Sequence, residues 1–365
     1  MSYKAIVPPP LNIQSLLLPL FFVITVVSAS LSVNGKEALT AIEVKLSFIL
    51  LPWLFFCFPW PVELVKRCLI AFVSGNFIAS VLLIARAIGY AFQGESNYFF
   101  YMDFSYFMHP SYFAMYLCFA LVLLAFYYPV WFETQPALKK MSWVYAIVLT
   151  VTVFLCASKM GFITLFLMVP LLLAYRFRKH MSLKSVTFVA VVGILLLFSL
   201  PFLFPTTIDR FKSITTLEPE QIDKASSESS AVRVLVWKQS SELIARKPLT
   251  GYGIGDANDS LYAAYSKNGL TGALEHHLNT HNQFLQSALQ MGVVGFLAIV
   301  LLTIYNGIIA MRSRHFSLLA FSLLLLLNYT VESMLQTASG VLFTAAFYSL
   351  LTRIPHAALM KKAIN

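Results

Sequence analysis

Long apolar runs separated by short polar stretches dominate the chain. Runs of the length needed to cross a hydrocarbon core about 30 Å thick fall at 15–33, 46–60, 67–92, 111–132, 141–157, 160–175, 185–204, 283–311, 316–330 and 339–352. The second and the last are short. Only Ser158 and Lys159 separate 141–157 from 160–175, so that pair also fits a broken or re-entrant hairpin. Between 205 and 282 the pattern changes to one long polar segment, well beyond an ordinary connection. Within it Val232, Leu235, Leu243 and Ile244 recur at helical spacing, with Lys238, Glu242 and Arg246 among them. This predicts an amphipathic helix over 231–246, with Ser229 or Ser230 as its cap and Lys247-Pro248 as its stop. A glycine-rich turn (Gly251, Gly253, Gly255) and a short helix over 259–266 follow. Residues 218–230 are polar and serine-rich and read as mobile. The pattern therefore predicts an all-α, polytopic membrane protein with about ten transmembrane helices. About seven lie in 1–204, a large helical loop spans 205–282, and about three helices lie in 283–365.

Composition agrees. Hydrophobic residues are 59% and charged residues 12% of the chain, about half the charge of a soluble domain, and the mean hydropathy is +0.76. The first apolar run is followed by Asn34-Gly35-Lys36-Glu37 and not by a small-residue cleavage site, so no cleaved leader is expected. Cys57, Cys68, Cys118 and Cys156 all lie in apolar runs, without metal-ligand or disulfide-framework spacing. The net charge of +10 is mostly topology. With the first terminus in the cytoplasm, Lys4, Lys66, Arg67, Lys139, Lys140, Arg176, Arg178, Lys179, Lys184, Arg312, Arg314, Arg353, Lys361 and Lys362 all fall inside. The short outer loops then keep only Lys36 and Lys45, with Arg86 and Lys159 near outer helix ends. Both termini are expected in the cytoplasm and the long loop outside, and no nucleic-acid partner is implied.

Several residues at the outer face carry the chemistry. Arg233 opens the amphipathic helix, four residues before Trp237, and a guanidinium fork matches phosphate oxygens. Lys159 sits at an outer helix end, where a charge either binds a ligand or snorkels. Arg86 lies deeper and serves substrate binding or pairs with Glu95 or Asp103. Gly251, Gly253 and Gly255 look like part of a phosphate cradle, but no strand precedes them and no Lys-Ser/Thr follows, so a turn needing positive φ is the default reading. His281 and Asn282 open a hydrophobic helix, where an imidazole can take a proton or cap the helix. Residues 93–110, rich in Tyr and Phe, fit an interfacial belt or a sugar platform. Residues 331–338 form a short outer turn that carries Glu332. His276 and His277 lie close to His281, but no H-x-x-x-H or H-E-x-x-H pattern with carboxylate support and no D-x-D motif is present, so neither a zinc site nor a metal-chelating nucleotide-sugar site is expected.

Taken as an ordered set, R-V-L-V-W…P-L-T-G-Y-G-I-G and H-N-Q-F-L-Q-S-A-L-Q-M-G-V-V-G resemble the O-antigen ligase and polymerase superfamily, over about 150–300. Ser158-Lys159-Met160-Gly161 is similar to the family's Ser-Arg-x-Gly helix end, with lysine in place of arginine. Glu332-Ser333 with Gly340 is similar to its acidic turn, and His109-Pro110-Ser111 to a segment of some members. The resemblance implies a membrane glycosyltransferase of the GT-C type, working at the periplasmic face of the inner membrane without metal or cofactor. Its donor is a polyprenyl-diphosphate-linked glycan. Its acceptor is a glycolipid, lipid A-core for a ligase, or another lipid-linked glycan for a polymerase. Arg233 and Lys159 would hold the diphosphate, and His281 would handle the acceptor proton. Asn282, Trp237, Gly253, Gly255, Glu332, Arg86 and His109 would support them. A polytopic transporter is the competing reading, but it predicts internal repeats and midplane charges, and the chain shows neither.

Overall fold

The computed structural model describes residues 5–6, 12–177, 224–225 and 230–360. Apart from a two-residue antiparallel ladder, Ala5–Ile6 with Trp60–Pro61, the described residues are helices and their connections. The first group is α1 (Ile13–Ser30), α2 (Gly35–Lys45), α3 (Ser47–Cys57), α4 (Val62–Phe92), α5 (Tyr101–Phe104), α6 (Pro110–Trp131), α7 (Pro136–Leu155) and α8 (Lys159–Phe177). The loop contributes α9 (Ser230–Arg246), α10 (Ala257–Asn268) and α11 (Thr271–Glu275). The last group is α12 (Gln283–Val300), which runs through a π-helical turn into α13 (Asn306–Arg312), then α14 (Phe316–Tyr329), α15 (Ala338–Arg353) and α16 (His356–Leu359).

The protein is an all-α, polytopic membrane protein. Among the described residues, six stretches are long and apolar enough to cross a membrane: Ile13–Ser30, Gly35–Cys57, Val62–Phe92, Pro110–Trp131, Pro136–Leu155 and Gln283–Arg312. Lys159–Met168 and Phe316–Tyr329 are shorter apolar helices. Each expected run lies on a described helix except 185–204, which is outside the described residues, as is most of the serine-rich stretch 218–230. The pair at 141–175 is two full helices. Ala157 breaks them with a left-handed φ of 46°, and the Ser158 hydroxyl accepts from Gly161 N to start α8. The second run is a correction. Lys36 and Lys45, expected in an outer loop, lie on α2, which joins α3 in the 23-residue stretch Gly35–Cys57, and Lys45 is buried.

Two apolar clusters organise the molecule. The larger fills the bundle around α6, whose span is 72% buried, against 17% for α7. Phe72, Phe119, Phe321, Phe343 and Phe347 interlock at its middle. Large exposed apolar residues on α1, α4 and α7, such as Val27, Ile78 and Ile147, present the surface that lipid would cover. The smaller cluster belongs to the loop: Val232, Val236, Leu243, Leu261 and Tyr265, with Leu289 reaching in from α12. The loop helices thus have a core of their own and are pinned to a span by one of its side chains.

Candidate functional site

The glycine turn docks the loop, and this fixes everything else. α12 does not run straight: Gly292 has φ 63°, ψ −154°. That kink opens its backbone. Leu289 O accepts from Tyr252 N at 2.8 Å, Gln290 O from Gly253 N at 3.1 Å, and Val293 N donates to Pro248 O at 2.8 Å. A Cβ on Gly292 would stand 2.1 Å from Leu249 O, and one on Gly251 2.7 Å from Gly292 N. Gly253 and Gly255 pack on the α1–α2 turn, where Gly255 N donates to Ser32 Oγ. Asp256 accepts from the backbone N–H groups of Val33 and Asn34, both at 2.7 Å. Of the two sequence readings, the geometry follows the turn: these glycines hold backbone against backbone.

That docking sets α9 beside the start of α12 and the turn after α14. Trp237 Nε1 donates to Thr280 O at 2.9 Å. Thr280 Oγ1 lies 3.1 Å from Ser333 Oγ, which also accepts from Asn282 N. The Asn282 side chain caps α12 through Leu285 N and donates to Thr330 O. Between Thr280 and Asn282, His281 has a left-handed φ of 45°, and its N–H donates to Asn279 Oδ1. A non-glycine residue in that region costs about 1–3 kcal/mol, and such strain gathers at working sites.

Glu332 joins the two groups singled out from sequence. Arg233 Nη2 lies 3.0 Å from Glu332 Oε1, and His281 Nδ1 lies 3.2 Å from Glu332 Oε2. The Glu332 side chain is only 8% exposed, while Arg233 and His281 keep 33% and 26%. The acid is therefore the buried hinge, and the two bases reach out from it. Burial pushes the Glu332 carboxyl up. The hydrogen bond from His281 and the nearby charges of Arg233, His281 and His109 outweigh it, and the carboxyl sits below its ordinary value of 4.5. Because an ionised carboxylate only accepts, His281 Nδ1 carries the proton in the neutral ring and Nε2 keeps its lone pair.

The other expected residues divide. His109 caps α6, accepting from Ser111 N, and is near enough for its charge to be felt at Glu332. Lys159 opens α8. The Asn328–Thr164 contact at 3.5 Å sets α8 against α14, so Lys159 and Glu332 lie at the same end of that pair. Arg86 is not brought to this cluster. It donates to the backbone O of Asp103, not to the Asp103 carboxylate, and sits among Tyr90, Tyr98 and Tyr106 at 4.9–5.2 Å from their ring centroids. Sequence reasoning missed Thr280 and Tyr112, the latter near Thr337 and Glu332, and named Ser333 only as the neighbour of Glu332. Hydroxyls of this kind carry no pattern along the chain that marks them.

The arrangement can hold an anion on the free donors of Arg233 and accept a proton at His281 Nε2, with a buried carboxylate fixing both. Residues 144–300 match the family described as O-antigen ligase. No curated protein matches the chain.

Proposed function

We propose that this chain, whose residues 144–300 match the O-antigen ligase family, is an O-antigen ligase-like glycosyltransferase. It moves a glycan from a polyprenyl diphosphate to a sugar hydroxyl of lipid A-core, at the periplasmic face of the inner membrane. The observation that carries this reading is the shared carboxylate of Glu332, which joins the arginine and the histidine that the reaction needs.

The chemistry follows from the atoms. The acceptor hydroxyl attacks the anomeric carbon. The new C–O bond forms as the bond from that carbon to the phosphate oxygen breaks, and the electron pair leaves on the diphosphate. Arg233 has Nη2 on Glu332 and its remaining N–H groups for phosphate oxygens; Lys159, at the same end of the bundle, adds a second positive charge. Both favour the growing negative charge of the leaving group. His281 Nε2 takes the acceptor proton, and Glu332 stabilises the imidazolium that results. Trp237 and Asn282 hold the 280–282 segment in place.

The test is a strain lacking the gene, complemented with wild type, Arg233→Ala or His281→Ala. Loss of all O-chain from core, with long polymer accumulating on the lipid carrier, supports ligation. Both variants should show that same pattern while staying in the membrane at wild-type amounts. Core bearing a single repeat, with short lipid-linked units, would make the protein a polymerase instead. An unchanged pattern would overturn the reading.

A further inference from the structure

A second polar site lies on the loop, away from Glu332. α9 and α10 enclose a groove of about 350 Å³, within the range of small-ligand sites. Ser260, Ala263 and Ala264 face it from α10, and these short side chains leave the space between the helices unfilled. Gln239, Glu242 and Arg246 line it from α9, Lys267 and Asn268 from the end of α10, and Tyr252 from the docking turn. Positions 239, 242 and 246 share one helix face. Arg233 lies on another face, about 9 Å along the axis from Gln239 and about 20 Å from Arg246, so the groove is separate from the transfer centre. α9 carries both.

Its chemistry is specific. Gln239 is 7% exposed, and its Oε1 accepts from Asn268 Nδ2 at 2.7 Å, which fixes the amide and leaves its NH₂ as donor. Glu242 supplies acceptors only; Arg246 and Lys267 supply donors only. The Lys247 ammonium stands 4.6 Å from the centroid of the Tyr252 ring. A bare phosphate would meet Glu242 unfavourably, and an apolar chain would offer no partner to Glu242, Arg246 or Lys267. A chain of hydroxyls uses donors and acceptors together.

We propose that this groove binds saccharide, as a subsite for the glycan part of a substrate held outside the transfer centre. The inference rests on the glycosyl-transfer reading and adds to it where a sugar chain is gripped. Two sources share this chemistry: the glycan of the donor and the oligosaccharide of the acceptor.

The test uses the purified full-length protein in detergent and two probes. One is the oligosaccharide repeat of the host's own surface polysaccharide, freed from its carrier by mild acid; the other is the host's core oligosaccharide. Calorimetric titration should show binding of one of them, and which one binds assigns the source. Glu242→Ala/Lys267→Ala, both exposed positions, should weaken that binding at least about tenfold, the loss of one charged hydrogen bond. In membranes the same variant should raise KM and leave kcat near wild type, as expected for binding remote from the reacting atoms. Arg233→Ala should bind the probe like wild type yet transfer nothing. A wild type that transfers glycan but binds neither probe, or a double variant that binds as tightly as wild type, overturns the groove alone. A wild type without transfer overturns the functional reading, and the titration still decides the groove.

Discussion

Glu332 gives each of its two oxygens to a different partner, so neither Arg233 nor His281 can be oriented without it. Glu332→Gln keeps the size and one acceptor but removes the charge. Transfer should fall by about 10²-fold or more, the usual weight of a placed acid–base group, with the protein still inserted. An unchanged rate would show that the charge is not needed. The pH dependence has a definite sign. The folded carboxyl lies below its ordinary 4.5, so its stabilisation is complete above 4.5 and is lost only as pH falls through the lower folded value. Protease resistance of the docked loop should therefore stay level from neutral pH down to about 5 and fail below 4.5. Failure already at about pH 6 would assign control to another group. Arg233, His281 and Glu332 were legible in the sequence only as an ordered set. Their meeting was not, because residues 99 and 51 positions apart have no local pattern that joins them.

The kinked helix α12 and the glycine turn work as one element. In a straight helix Val293 N would bond Leu289 O, four residues back; here Pro248 O and Tyr252 N replace those partners. Gly292→Ala places a Cβ 2.1 Å from Leu249 O at a φ of 63°, so backbone must move. The detergent-solubilised protein should lose thermal stability, and transfer should fall as α9 is released. Gly269→Ala is the comparison: it lies in the ordinary left-handed region, φ 68°, ψ 27°, with no atom within 4 Å of its Cβ, so it should cost only the left-handed strain of about 1–2 kcal/mol, whereas Gly292 combines a glycine-only conformation with a backbone clash. Equal effects from the two would refute the docking role. The alternating glycines announced a turn from sequence alone. Their partners, Gly292, Ser32 and Asn34, are remote in the chain, so the purpose of the turn appears only in the fold. For the same kind of reason α2 was read as a loop. Its Lys, Glu and Thr residues mask a helix whose inner face, Ala38 and Lys45, is buried by tertiary packing.

Across the whole molecule, the segments that build the site meet at one end of the bundle. They are the α1–α2 turn, the start of α6, the start of α8, the start of α12 and the turn after α14. Lys66, Arg67, Lys139, Lys140, Arg312 and Arg314 lie at the other end, so the positive-inside rule predicts that the site faces away from the cytoplasm. Lys238→Cys and Lys139→Cys, both exposed, test this after the exposed Cys57 and Cys68 are changed to Ala. A membrane-impermeant maleimide should label the first in cells with a permeabilised outer membrane and the second only after lysis. The opposite result would invert the protein.

The long separation between Arg233 and Glu332 also sets a clock. At a synthesis rate of about 5–20 residues per second, the 99 positions from Arg233 to Glu332 take about 5–20 s to leave the ribosome. During that interval the nascent chain carries its arginine, and then its histidine, without the acid that aligns them. The candidate site stays incomplete while the chain is being inserted and can close only when the turn after α14 arrives.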